Sequence, residues 1–306
     1  MLRQALLAAS HSGAARRIVE TAPGTRGFVR RFVAGESIDD ALRVTADIAG
    51  QGLLVSLDVL GEDTHDTNRA DANADHYAML LGRLGEDGLA GSAEVSLKLS
   101  AVGQALDEDL ALANARRVCA AARDAGTAVT LDAEDHETVD STLRVLAELR
   151  RDFPDTGIAI QSYLRRSEEY CAELAHEGSR VRLCKGAYRA PESVAFTDDV
   201  EIDKSYVRCM RVLMAGQGYP MLATHDPRLI EIAGALASLH DREPSGYEYQ
   251  MLYGIRPGEQ RRLAREGARV RVYVAFGGEW YRYFMRRLAE KPANLGFLFR
   301  SVASRS

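Results

Sequence analysis

Near its C-terminal end the chain reads WYRYFMRRLAEKPAN, residues 280–294. At helical spacing, Tyr281, Phe284, Met285 and Leu288 form an apolar stripe. Trp280, Tyr283, Arg286, Arg287 and Glu290 form a second, polar-aromatic stripe, and Pro292 would end the helix. Two adjacent guanidiniums beside a tyrosine suit a carboxylate, which arginine can grip with two parallel hydrogen bonds. The bland alternative is a solvated arginine pair near a helix C-terminus, where cations are favoured. A second set of reactive types is dispersed. Asp58, Lys98, Asp132, Gln161, Lys185, His225, Gln250 and Tyr273 each close, or nearly close, a short apolar run. A desolvated lysine at such a place could form a Schiff base. His225, Asp226, Glu134, Asp135 and His136 could serve a metal hydrolase, but no HxH on the first run and no HExxH helix supports it, so no metal site is assigned.

Those runs are what must position the chemistry. They predict strands at 52–59, 94–99, 128–132, 158–163, 181–185, 221–225, 247–252 and 270–276, each followed by helical spacing. Leu143, Leu146, Leu149 and Phe153 mark one such helix, and Arg208, Arg211, Val212 and Ala215 a more polar one. Strand–helix alternation implies parallel pairing through right-handed crossovers. Eight units imply an α/β fold closed into a (βα)8, TIM-like barrel, whose reactive groups sit at the C-terminal strand ends. A doubly wound open sheet would carry GxGxxG after its first strand, where this chain has LDVLGED. One domain over residues 1–306 is expected: N-terminal helices in 1–50, then a barrel in 51–306. Ser37, with Asp40 three residues on, resembles a helix N-cap. A charge facing a barrel interior needs a partner, so Lys98 and Asp132 on neighbouring strands are expected to pair. The arginines from Arg261 to Arg271 and the acidic run Asp198–Asp203 read as solvated faces.

Composition bounds the rest. With 306 residues, 46% hydrophobic, and a net charge of −5, the chain can bury a large core and lacks the basic surplus that nucleic acid demands. Cys119, Cys171, Cys184 and Cys209 show no CxxC and read as reduced thiols of a cytoplasmic protein. No apolar run approaches the roughly 18 residues of a membrane span. The amphipathic N-terminal segment is the one candidate for transient membrane contact.

Several segments, in order and spacing, resemble the proline dehydrogenase family: SLKLSA (96–101), LDAED (131–135), RLCKGAYR (182–189), ATHDP (223–227), YEYQMLYG (247–254), VYVAFG (272–277) and YFMRRLAEKPAN (283–294). The resemblance runs from the first strand to residue 300. It implies oxidation of L-proline to Δ1-pyrroline-5-carboxylate with FAD, electrons leaving to a quinone, and a separate pyrroline-5-carboxylate dehydrogenase taking the product. It implies that Arg286 and Arg287 bind the substrate carboxylate, with Lys98 as a further pairing group. Tyr273, Tyr283 and Leu252 would wall the proline ring, and Asp132 and Tyr188 would line the same pocket. Gln161, Arg182, Lys185, Gly186, Ala187, Thr197, Thr224, His225 and Gln250 would contact FAD, with Glu290 near the flavin and the arginines. The chain departs from the family pattern at Ala275, often a proline, at Cys184, and in the acidic stretch Thr197–Asp199. Beside this reading stand a Schiff-base aldolase using Lys98 or Lys185, and an inert binding module in which the arginine pair would be dispensable.

Overall fold

A computed structural model describes Gly27, residues 29–61, 64–188 and 190–290, apart from the side chains of residues 288–290. The eight strands are β1 (Leu54–Val59), β2 (Ala93–Leu97), β3 (Val129–Leu131), β4 (Gly157–Gln161), β5 (Arg180–Cys184), β6 (Tyr219–Ala223), β7 (Glu248–Leu252) and β8 (Val270–Phe276). They pair in parallel and in chain order, and β8 closes on β1 with Ser56 opposite Tyr273. Helix α1 (Ile38–Ala49) precedes the barrel. Around it run α2 (Thr67–Glu86), α3 (Glu108–Ala125), α4 (Val139–Arg150), α5 (Ser167–Leu174), α6 (Asp199–Ala215), α7 (Pro227–Leu239) and α8 (Pro257–Arg265), and α9 (Trp280–Glu290) follows β8. The expected barrel is therefore observed, with several strands a residue or two shorter than their apolar runs. Lys98, Asp132, Lys185 and His225 stand just past their strands, where backbone leaves the ladder.

Alternation along the strands divides two environments. Val55, Leu57, Val95, Leu97, Leu131, Ile158, Leu183, Met251, Val272 and Val274 are buried in one apolar cluster with the helices. The intervening positions are polar and buried as well: Ser56, Asp58, Glu94, Ser96, Thr130, Arg182, Glu248, Gln250 and Arg271. Where such barrels ordinarily fill with branched apolar layers, this one fills with ion pairs. Arg271 is thus a barrel-interior residue rather than part of a solvated face, because strand pairing, not local composition, decides which way it points.

The N-terminal segment has a specific task. Ser37 caps α1 reciprocally with Asp40, as its spacing implied. Upstream, Val33 bridges to Ala275 on β8, and the Trp280 indole donates to Glu36 at 2.8 Å. Val29, Phe32, Val33 and Leu60 pack with Trp280, Tyr281, Tyr283, Phe284 and Met285 in a second cluster. The aromatic members of both stripes of α9 are consequently buried, because a strap of chain lies across the helix. Pro292 and Asn294 lie outside the described residues.

Candidate active site

Five charged or phenolic side chains meet at the C-terminal end of the barrel. Lys98, beyond β2, makes its tightest contact with Asp58 near the end of β1. Its distance to Asp132 is 3.8 Å, so the expected pair exists but is the looser of two. Asp132 also accepts from the Tyr273 hydroxyl at 2.6 Å and from Arg182 at 3.4 Å. The Arg182 guanidinium lies over the Tyr273 ring, 5.3 Å from its centre, and donates to Ser96 and Ser56 as well.

The electrostatics separate the two carboxylates. Burial pushes both upward. At Asp132 the positive charges of Lys98 and Arg182 outweigh burial, and its carboxyl is held below the usual value. At Asp58 burial and the neighbouring Asp132 outweigh Lys98, and the carboxyl is raised. Burial also lifts the Tyr273 phenol well above its ordinary range, so it serves as a donor. The Cys184 thiol is pushed up to about 12, chiefly by burial, and stays neutral. Asp58 is the site member that sequence reading placed at a strand end without giving it a role. Alternation along β1 was the available signal; β1 lies beside β2 by sequential pairing, and barrel closure adds β8 with Tyr273 on its other side.

The other expected positions distribute around the same mouth. Gly186, Ala187 and Tyr188 follow β5, Thr224 and His225 follow β6, Gln250 and Leu252 belong to β7, and Tyr273 to β8. Gly186 has φ +108°, and a side chain there would run into the Tyr163 ring, so only glycine fits. The His225 ring accepts from the Leu252 N–H at 2.9 Å, which places its proton on Nδ1 and fixes its plane. Gln161 donates to the Glu134 carbonyl at 2.7 Å. Lys185 is held by Asp203 and, at 3.9 Å, Asp226, which corrects the reading of Asp203 as merely solvated. Asp198 likewise has a task, capping α6 through the N–H groups of Val200 and Glu201. Thr197 is exposed and its hydroxyl meets Glu192 at 3.4 Å. On α9, Tyr283 is buried and Arg286 and Arg287 are half-buried, with the Arg287 guanidinium 5.1 Å from the Tyr283 ring centre. The Glu290 side chain lies outside the described residues.

Two observations bear on a large redox cofactor. Arg182 Nε and Gln250 Oε1 are buried polar atoms without a protein hydrogen-bond partner. Such atoms are costly unless something else satisfies them. They sit on β5 and β7, the two strands that flank β6. The donor set fits a flavin, which needs hydrogen bonds at its ring edge and positive charge near its pyrophosphate. Among the described residues no group of three or more His, Cys, Asp or Glu side chains could hold a metal ion, and no helix is long and apolar enough to cross a membrane.

Comparison with known proteins agrees with the barrel fold. A family profile for proline dehydrogenase matches residues 41–300. The chain is 36% identical to proline dehydrogenase 1 of Bacillus subtilis over 302 residues, 99% of each chain. It is 39% identical to proline dehydrogenase of Deinococcus radiodurans over 280 residues, 90% of each. Among solved structures it resembles proline utilization A from Bdellovibrio bacteriovorus, inactivated by N-propargylglycine, at TM-score 0.82 and 25% identity; 96% of this chain matches 35% of that one. On sequence and on fold alike, the chain belongs to the proline dehydrogenase family.

Proposed function

We propose that the protein oxidises L-proline to Δ1-pyrroline-5-carboxylate with FAD, in proline catabolism, passes the electrons to a quinone, and hands its product to a separate pyrroline-5-carboxylate dehydrogenase. The observation that supports this most is the Lys98–Asp132–Tyr273–Arg182 constellation together with two unpartnered buried atoms, Arg182 Nε and Gln250 Oε1. Loss of hydride from a carbon beside an amine needs an electron acceptor that side chains cannot supply, and bound flavin supplies it.

The chain's own residues then have separable tasks. Arg286 and Arg287, carried on α9, grip the substrate carboxylate, and Lys98 adds positive charge. Tyr273, Tyr283, Leu252 and Tyr188 wall the ring and exclude water, and orientation of this kind is a large rate term. Tyr273 cannot swing freely, since Asp132 holds its hydroxyl. Asp132, kept ionised by Lys98 and Arg182, balances the cationic cluster. The cluster favours the neutral amine of bound proline, the form that can release hydride. Arg182, Lys185, Gly186, Ala187, Gln161, Thr224, His225 and Gln250 are the proposed cofactor contacts. Thr197, which is exposed, is a further proposed contact. A cytoplasmic protein touching the membrane transiently to meet a quinone completes the reading.

The test is direct. The purified protein should carry or take up flavin, and L-proline should bleach it without oxygen, with a soluble quinone restoring the colour. A protein that takes up no FAD would remove the cofactor assignment. Bound flavin that proline fails to bleach would remove the substrate.

A further inference from the structure

Glu134 stands two residues beyond Asp132 and has no task in the site as assigned. Both of its carboxylate oxygens engage Ser100. The Ser100 N–H donates to Oε1 at 3.1 Å, and the Ser100 hydroxyl lies against Oε2. Ser100 opens the short 3-10 turn that immediately follows Lys98 and Leu99. The main-chain oxygen of Glu134 accepts from Gln161 Nε2 at 2.7 Å. A single residue therefore ties together the ends of β2, β3 and β4. Through them it fixes the turn carrying Lys98 and the amide of Gln161.

The same contacts survive a change of charge. A serine hydroxyl donates to a carboxylate and accepts from a carboxylic acid. Burial, opposed by the Ser100 contacts and Lys98 and helped by Asp132, pushes the Glu134 carboxyl up to about 7. Among the described residues, the charged groups that act on it most are Lys98 from the β2 end and Asp132 from the β3 end. Thr138, Thr142, Gln161, Ser167 and Tyr170 line the small cavity on its other side, and all are uncharged at neutral pH.

We propose that Glu134 is a positioning residue of the active site which, through Ser100, holds the Lys98 turn and Gln161 in place and switches the local charge beside Lys98 between zero and minus one. With Glu134 ionised, the cationic cluster is partly offset and its grip on an anionic substrate weakens. With Glu134 neutral, the full positive charge is available. The inference rests on the proline-oxidising reading above.

Glu134→Gln mimics the protonated acid and keeps both contacts to Ser100. Rates of proline-dependent dye reduction would be compared for the two proteins from about pH 5.5 to about pH 8.5, spanning the neutral range in which the carboxyl changes charge. The ratio of wild-type to variant kcat/KM should be constant at the acid end and fall about fivefold above neutrality. The fall should lie in KM rather than kcat. A ratio that stays flat overturns the proposal. A second readout uses the protein without substrate. Because the folded carboxyl binds its proton more tightly than the unfolded one, wild-type stability should fall relative to Glu134→Gln as pH rises from 4.5 through about 7. Parallel urea-unfolding profiles would overturn the ionisation. If Glu134→Gln does not fold, Ser100→Ala tests the same link. Removing the hydroxyl should move the inflection of the wild-type rate and stability profiles to higher pH, and an unmoved inflection counts against it. If proline bleaches no flavin in wild type, the functional reading has failed, while the unfolding profiles still decide the state of the carboxyl.

Discussion

The two ends of the barrel interior are both built from charge, and they are organised in opposite ways. At the N-terminal end, Glu94 meets Arg180, Arg182 and Arg271, and Glu248 takes two hydrogen bonds from Arg271 and one each from Gln250 and Tyr219. Every carboxylate there faces more than one donor, and the three arginines overcome burial to hold Glu94 at about 2. At the C-terminal end, Asp58 and Asp132 share Lys98, their ionisations are pushed in opposite directions, and Arg182, which reaches both ends, keeps an unpartnered Nε. The hollows at the N-terminal end are spacious, about 550 and 470 Å³, and the Arg180 and Arg271 side chains that line both are already engaged with carboxylates. Size therefore does not mark the working end of this barrel. Unfinished electrostatics do. A closed network resists rearrangement, whereas one with imbalance and spare donors is ready to receive a charged guest.

Breaking the C-terminal end should damage turnover first. Replacing Arg286 and Arg287 together by Gln should lower kcat/KM for proline by about a thousandfold, in line with loss of a desolvated, bidentate carboxylate grip. Steady-state rates and anaerobic flavin bleaching would measure it, and a loss below tenfold would return the pair to the solvated surface. Breaking the N-terminal end should damage folding first. Glu94→Gln leaves the buried Arg182 and Arg271 and the half-buried Arg180 short of a counter-charge and should cost about 3–5 kcal/mol, read by urea unfolding. The sign with pH is fixed. The folded carboxyl sits at about 2 against 4.5 when unfolded, so its contribution is complete above about 4.5 and is lost as pH falls toward 2. The variant should lack that acid-side slope. The smallest effect sharpens the contrast. Asp58→Asn removes a carboxyl whose charged form is already disfavoured by burial, so stability should change by less than about 1 kcal/mol. Turnover should still fall about tenfold, because Lys98 loses its nearer anchor. A large stability loss in Asp58→Asn would mean that the two ends obey the same rule.

Legibility in the sequence follows the same division. Period-two patterning and short apolar runs foretold eight parallel strands, and the span of β8 matched residue for residue, because both are local signals. The Ser37–Asp40 cap was readable for the same reason. Lys98 and Asp132 could be placed near each other, since sequential strands pair. That Asp58 is the closer partner of Lys98 depends on side-chain reach between two paired strands, β1 and β2, and that Arg271 reaches Glu94 as well as Glu248 depends on closure of β8 onto β1. No local pattern encodes that closure. Glu134 and its hold on Ser100 escaped for a further reason. The contact is made after the strands end, where periodicity stops assigning faces. The family resemblance supplied roles for the mouth, but it named neither of these carboxylates.

The interior column of Arg182, Glu94, Arg271 and Glu248 also has a thermal consequence. Hydration of ions weakens on heating, so the penalty for having stripped water from these groups shrinks as temperature rises. An apolar filling gains no comparable relief. A barrel wired internally with guanidinium and carboxylate gives up some stability in the cold and recovers it under heat.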